Sequence, residues 1–225
     1  DFDFSQDSSL IVSPSQQTGY FAKYAGNGDL IWKKPIDLEY VNDIAIDHQG
    51  DVVVIGSHEG TEDFDPGVGT EIIPTSGIYT TNFFVAKYDS SGNYIYAFSL
   101  GGVFADVADD VAIDDSNNIY VSGSVGFGYT NDSIDFDPGP GEAWHYTQGP
   151  FTNYDAFVAK YNSSGDYLWS YTYGSTGSDI YTKIAIYDTN LIVVGRYDDS
   201  LDLNFDPLQD SWHYPEGVGQ DGFYV

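Results

Sequence analysis

From Phe157 to Trp169 the chain reads FVAKYNSSGDYLW, and side-chain character changes at almost every step. Phe157, Ala159 and Tyr161 alternate with Val158 and Lys160, the two-residue period of a β-strand. Ser163, Ser164, Gly165 and Asp166 then supply turn chemistry, with Gly165 able to take a positive φ, and Tyr167–Trp169 begins a return strand. FVAKYDSSGNYIY from Phe84 and FAKYAGNGDLIW from Phe21 repeat this hairpin. A second hairpin type lies between them: DIAIDHQGDVVVIGS from Asp43, DVAIDDSNNIYVSGS from Asp110 and KIAIYDTNLIVVGR from Lys183. No segment carries a helical period.

The unit recurs every 62–73 residues or so, the mark of a repeat architecture. Two hairpins per unit give four antiparallel strands, which is one propeller blade. The expected fold is all-β, with β-propeller blades of four antiparallel strands in about three repeats. Complete blades are predicted over 41–99 and 108–172, flanked by partial ones at 1–36 and 181–225. VAID would be the innermost strand of a blade, IYVSGS the second, FVAKY the third and YLW the outermost. Ala45, Ala112 and Ala185 fit where strands converge, and Trp32, Tyr96 and Trp169 fit the widening rim. Closed propellers need about 4–8 blades, so the chain reads as a processed or excised part of a larger one. Other blades of the same or a neighbouring chain would complete it.

Composition narrows the setting. A hydrophobic share of 41%, with 17% aromatic, is enough for a core and argues against disorder. The net charge of −28 repels phosphate backbones and anionic lipid, which excludes nucleic acid and membrane surfaces as partners. The chain has no cysteine, hence no disulfide or thiolate metal site, and no apolar run long enough to span a bilayer.

The acids concentrate in one recurring turn. DFDPG occupies Asp63–Gly67 and Asp135–Gly139, NFDPL occupies Asn204–Leu208, and the chain opens on DFDF. Each of these inserts falls between the second and third strands of its blade. Alternating carboxylates on a turn suit Ca2+, which takes several oxygen ligands. The candidate ligands are Asp63 with Asp65, Asp135 with Asp137 and Asp1 with Asp3, with Asp132 as a further donor. The competing reading is purely structural: Asp caps turn amides, Pro fixes the bend and Phe plugs an apolar gap. The third copy retains Phe205 and Pro207 while losing an Asp and a Gly, which favours packing as the common element.

Trp144-His145-Tyr146 and Trp212-His213-Tyr214 follow their inserts and read as a packing strand, with sugar stacking or metal binding as the functional alternative. His48 and His58 are expected at the surface. Lys23, Lys87 and Lys160, three of only seven bases, are expected to pair with nearby Asp and fix blade packing.

The two hairpin types resemble the bacterial SBBP β-propeller repeat family. Its members carry F-V-x-K-Y-D-x-x-G-x-x-x-W followed by D-x-A-x-D-x-x-G-N-x-Y-V-x-G, matched here at Phe84–Tyr96, Phe157–Trp169, Asp43–Gly56 and Asp110–Gly123. The third repeat departs from the pattern, with Lys183 and Tyr187 at positions where Asp is usual. The resemblance implies a secreted or cell-surface protein, extracellular in location. Asp132-Ser133-Ile134 and Asp199-Ser200-Leu201 resemble an O-glycosylation acceptor of such proteins, which makes Ser133 and Ser200 candidate sites.

The expected function is a non-enzymatic module for adhesion or assembly, stiffened by calcium and binding surface polysaccharide or protein. The alternatives are a polysaccharide-acting enzyme, either glycoside hydrolase or lyase, and a passive scaffold segment.

Overall fold

A computed structural model describes residues 19–36, 38, 40–76, 80–127, 133–147, 154–174, 177–198, 200–202, 212–213 and 221–224. All regular structure among them is extended. The chain first forms a hairpin of β1 (Gly19–Tyr24) and β2 (Leu30–Ile36). It continues through β3 (Tyr40–Ile46), β4 (Val52–Glu59), β5 (Thr61–Asp63), β6 (Ile72–Pro74), β7 (Thr81–Tyr88) and β8 (Tyr94–Leu100). Strands β3, β4, β7 and β8 form an antiparallel meander in that order, and β5–β6 is a separate small hairpin inserted between the second and third strands.

The next unit repeats the plan. Its strands are β9 (Ala105–Ile113), β10 (Ile119–Phe127), β11 (Ser133–Asp135), β12 (Trp144–Tyr146), β13 (Asp155–Tyr161) and β14 (Tyr167–Tyr173), with β11–β12 as the insert. The third unit has β15 (Ile180–Tyr187), β16 (Asn190–Tyr197), β17 (Leu201–Asp202), β18 (Trp212–His213) and β19 (Asp221–Tyr224), with β15, β16 and β19 in one sheet. The expected fold class holds: these are blades of a β-propeller-like fold. The third insert's Asn204–Leu208 turn lies outside the described residues.

Local chemistry explains the hairpins. Asp47 Oδ1 accepts from the amides of Gln49 and Asp51 at 2.9 Å each. Asp89, Asp114 and Asn162 repeat this bond pattern in their own turns. Positive φ is taken by Gly50, Gly92 and Gly165 in three of the four turns and by Asn117 in the other, the residues that best tolerate it.

The core lies between sheets rather than within one. Val53, Ile55, Phe83 and Val85 of the first sheet meet Val111, Val121, Phe157, Ala159 and Tyr161 of the second. The opposite face of the first sheet, with Val52, Val54, Phe84 and Tyr88, is covered by Phe21 and Ile36 of the β1–β2 hairpin. The central strand β4 is therefore buried along almost its whole length, as expected for a sheet covered on both faces. The first strands approach one another from sheet to sheet, β3 to β9 and β9 to β15, so the units converge on that edge.

Lysines and rim aromatics link the sheets. Lys23 donates to the Ser90 carbonyl of the next unit at 3.1 Å, and Trp32 Nε1 donates to the same oxygen at 3.1 Å. Lys87 likewise reaches the Ser163 carbonyl at 3.3 Å while pairing with Asp47 at 2.8 Å, both side chains almost wholly buried. Lys160 pairs with Asp114 at 3.2 Å and lies 4.5 Å from the centre of the Tyr120 ring. Burial pushes the Asp47 carboxyl up, but its bonds to Lys87 and to the turn amides outweigh this and leave it below its ordinary value.

Candidate functional site

The DFDPG turns close their own loops. Asp63, the last residue of β5, accepts at Oδ1 from the amides of Asp65 at 3.0 Å and Glu71 at 2.8 Å. Asp65 Oδ1 in turn accepts from Gly67 at 2.7 Å. The second insert copies this: Asp135 Oδ1 takes Asp137 at 3.1 Å and Ala143 at 2.7 Å, and Asp137 Oδ1 takes Gly139 at 2.7 Å. Asp63 and Asp65 thus stand in one turn and Asp135 and Asp137 in the next, with one oxygen of each carboxylate committed to loop amides. Among the described residues, no group of three or more His, Asp or Glu side chains stands close enough to hold a metal ion. Asp1, Asp3 and Asp132 lie outside the described residues.

The phenylalanine of each turn points inward. Phe64 and Phe136 are fully buried, packed on Phe84 at 5.2 Å and Phe157 at 5.1 Å between ring centres. The backbone beside them is pinned from the third strand, because Tyr88 Oη donates to the Phe64 carbonyl at 3.0 Å and Tyr161 Oη to the Phe136 carbonyl at 3.1 Å. Burial, reinforced by the neighbouring tyrosine and aspartates, raises both tyrosines and keeps them protonated as donors.

Two features escaped the sequence reading. The motif extends two residues further, to D-F-D-P-G-x-G, because a Cβ at Gly69 or Gly141 would overlap the second oxygen of Asp65 or Asp137. The repeated glycine was the available signal. The other is His58, expected at the surface and instead fully buried with Nε2 2.7 Å from Ser99 Oγ and its ring edge-on to Phe64. An imidazole flanked by Ser57 and Glu59 gives no local sign of burial. His48 is exposed.

The Trp144-His145-Tyr146 strand divides its roles. His145 turns inward, bonded to Thr172 Oγ1 at 3.1 Å and Ser170 Oγ at 2.9 Å. Trp144 and Tyr146 face outward, 50% and 64% exposed. They sit one apart on the same face of β12, about 7 Å from one another by strand geometry. The packing expectation therefore fits only the histidine. Ser133 begins β11 and Ser200 precedes β17, both half-buried.

A further acidic group lies on the converging edge. Asp43 Oδ2 accepts from the Val111 amide at 3.1 Å, and Asp110 accepts from the Ile184 amide at 2.7 Å and from Lys183 Nζ at 3.0 Å. Burial lifts the adjacent Asp109 carboxyl to about 6, with Lys183 opposing the shift and Asp110 adding to it. Asp109 also borders a cavity of about 180 Å³.

No protein-family model matches the chain. Over 201 residues it is 25% identical to an uncharacterized WD repeat-containing protein of Acanthamoeba polyphaga mimivirus. That alignment takes in 84% of this chain and spans 13% of the relative's length. WD repeats build propeller blades, which agrees with the sheets described above.

Proposed function

We propose that this β-propeller repeat module is non-enzymatic, acts outside the cell or at its surface, and presents its insert hairpins to a polysaccharide or protein partner. The observation that carries the reading is the outward pair Trp144 and Tyr146, 50% and 64% exposed on a hairpin whose opposite face is fixed by Phe136, His145 and Tyr161. Exposed aromatics held on a rigid support lose little entropy on binding, and their faces suit stacking on sugars or partner side chains. The net charge of −28 suits a salty exterior where screening is strong. The repeat pattern shared with SBBP-type proteins supports the same setting. Calcium enters as an addition rather than a requirement, since the Oδ1 atoms of the four aspartates already hold their loops without it.

The test is binding of the protein to a panel of surface polysaccharides, comparing wild type with the Trp144→Ala/Tyr146→Ala double variant. The expected result is a loss of at least about tenfold in affinity at unchanged melting temperature, since both side chains lie outside the core. Undiminished binding by the variant would overturn the assignment to this face. One observation favours the enzymatic alternative, the raised Asp109 carboxyl beside a cavity. Polysaccharide turnover that disappears in Asp109→Asn would establish that alternative instead.

A further inference from the structure

A cleft of about 450 Å³ opens at the rim between β8 of the first complete sheet and the insert and turn of the next. Its walls include Tyr96, Phe98, Tyr167, Asp137 and Asp166. The Tyr96 and Phe98 rings are parallel within 4°, with centres 6.4 Å apart. Gly165, at φ 87°, lets the Tyr96 ring approach its Cα closely. The Tyr96 hydroxyl is shielded from solvent and has no hydrogen-bond partner among the described residues. Asp137 and Asp166 each commit one oxygen locally, to the Gly139 amide and to Asn162 Nδ2. The second oxygen of each has no such bond among the described residues.

The preceding junction shows what this arrangement lacks. Lys34 pairs with Phe21 across β1–β2, and Phe98 pairs with Val85 across β7–β8. Lys23 opposite Trp32 and Lys87 opposite Tyr96 fix the correspondence, so Lys34 occupies the place of Phe98. Asn93 corresponds to Asp166, each four residues after the Asp or Asn that organises its turn. At the earlier junction Lys34 lays its stem against Gly92, beside Trp32, and its ammonium donates to Asn93 Oδ1 at 3.4 Å. At the later junction the lysine is replaced by an aromatic ring and the amide by a carboxylate. The built-in cation has gone, while the turn keeps one carboxylate, Asp89 near Lys34 in the earlier turn and Asp166 in the later.

We propose that this cleft binds an alkylammonium group, the side chain of a lysine on a partner protein. The aliphatic stem would lie along Phe98 and Tyr167, as the Lys34 stem lies beside Trp32. The ammonium would meet Asp166 and Asp137, with the negative face of the Tyr96 ring adding attraction. Such a lysine does from outside what Lys34 does from within. The proposal is independent of the Trp144–Tyr146 face, and either can fail without the other.

Calorimetric titration with Nα-acetyl-lysine methylamide at physiological salt tests it, with the norleucine analogue as the uncharged control. Two variants test the two sides of the cleft: Phe98→Lys supplies the internal ammonium of the earlier junction, and Asp166→Asn removes the turn carboxylate. Saturable binding of the lysine probe at one site per chain is expected, with none of the norleucine probe. Either variant should weaken it at least about tenfold. Asp166→Asn preserves shape and keeps the test valid if Phe98→Lys disturbs packing against Tyr161. No saturable binding, equal binding of norleucine, or undiminished binding by Asp166→Asn would each overturn the proposal, the last by pointing to the acidic surface at large.

Discussion

His58 and His145 stand on different strands, yet each presents its ring edge-on to the phenylalanine of its DFDPG turn, at 5.4 Å and 5.2 Å between ring centres. Each also bonds a hydroxyl at one equivalent point of the outer strand, Ser99 opposite Phe84 or Thr172 opposite Phe157. The aliphatic partner is exchanged in compensation: Val125 fills the His58 position in the second unit, and Ile73 fills the His145 position in the first. Aligning the repeats residue by residue hides this, since neither histidine faces a histidine. Burial lowers His58 to about 4, so between there and the unfolded value near 6.5 the unfolded chain binds more protons. Stability from this group is complete above about pH 6.5 and is lost as the pH falls toward 4, by up to about 3 kcal/mol. Asp109 acts in the opposite sense: raised to about 6, it contributes most at low pH and loses that contribution as the pH rises through 6. The informative measurement is therefore the difference between wild type and His58→Leu in denaturant midpoints from pH 7 to pH 4.5. Wild type should lose more stability over that range, and parallel curves would refute the buried neutral imidazole.

At the scale of elements, the strand order was legible because alternation, as in β13, or a short apolar run, as in Val52–Ile55 of β4, recurs between turns carrying Asp, Asn or Gly. The insert was legible as a hairpin between second and third strands for the same reason. Its direction was not. Alternation says that Trp144 and Tyr146 share a face, but only the meeting of β12 with β14 decides that the other face, with His145, goes inward. The carboxylates were ambiguous in the same way, because an Asp that ligates a cation and an Asp that receives its own loop amides have identical local sequence. The second glycine of D-F-D-P-G-x-G carries a test of the amide reading. Gly69→Ala places a methyl group against Asp65 Oδ2, and relief must come from displacing a carboxylate that holds the turn. A loss of about 1–3 kcal/mol is expected, equal in calcium and in chelator, with wild-type melting also indifferent to chelator. A wild-type melting temperature that falls on adding chelator would show that the turns depend on a cation after all.

Across the whole molecule, the units are joined by a bond that each hands to its successor. Asp43 of β3 receives the Val111 amide of β9, and Asp110 of β9 receives the Ile184 amide of β15. The corresponding residue of β15 is Lys183, which has no acceptor to offer a following strand and reaches back to Asp110 and the Asp109 carbonyl instead. The third unit departs at the next acidic position too, where Tyr187 stands in place of Asp47 and Asp114 and a tighter turn with Asp188 at positive φ follows. Arrays of this kind are stabilised mainly by nearest-neighbour contacts, so damage to one link should stay local. Asp110→Ala leaves the Ile184 amide and the Lys183 ammonium without their carboxylate at the edge where β9 and β15 meet. Amide hydrogen exchange should then quicken across residues 180–197 while residues 40–59 and 81–100 keep their protection. Asp43→Ala should act instead on the junction of the first and second sheets. Uniform loss of protection in both would mean that the sheets unfold as a single cooperative body and that the handed-on bond is incidental to it.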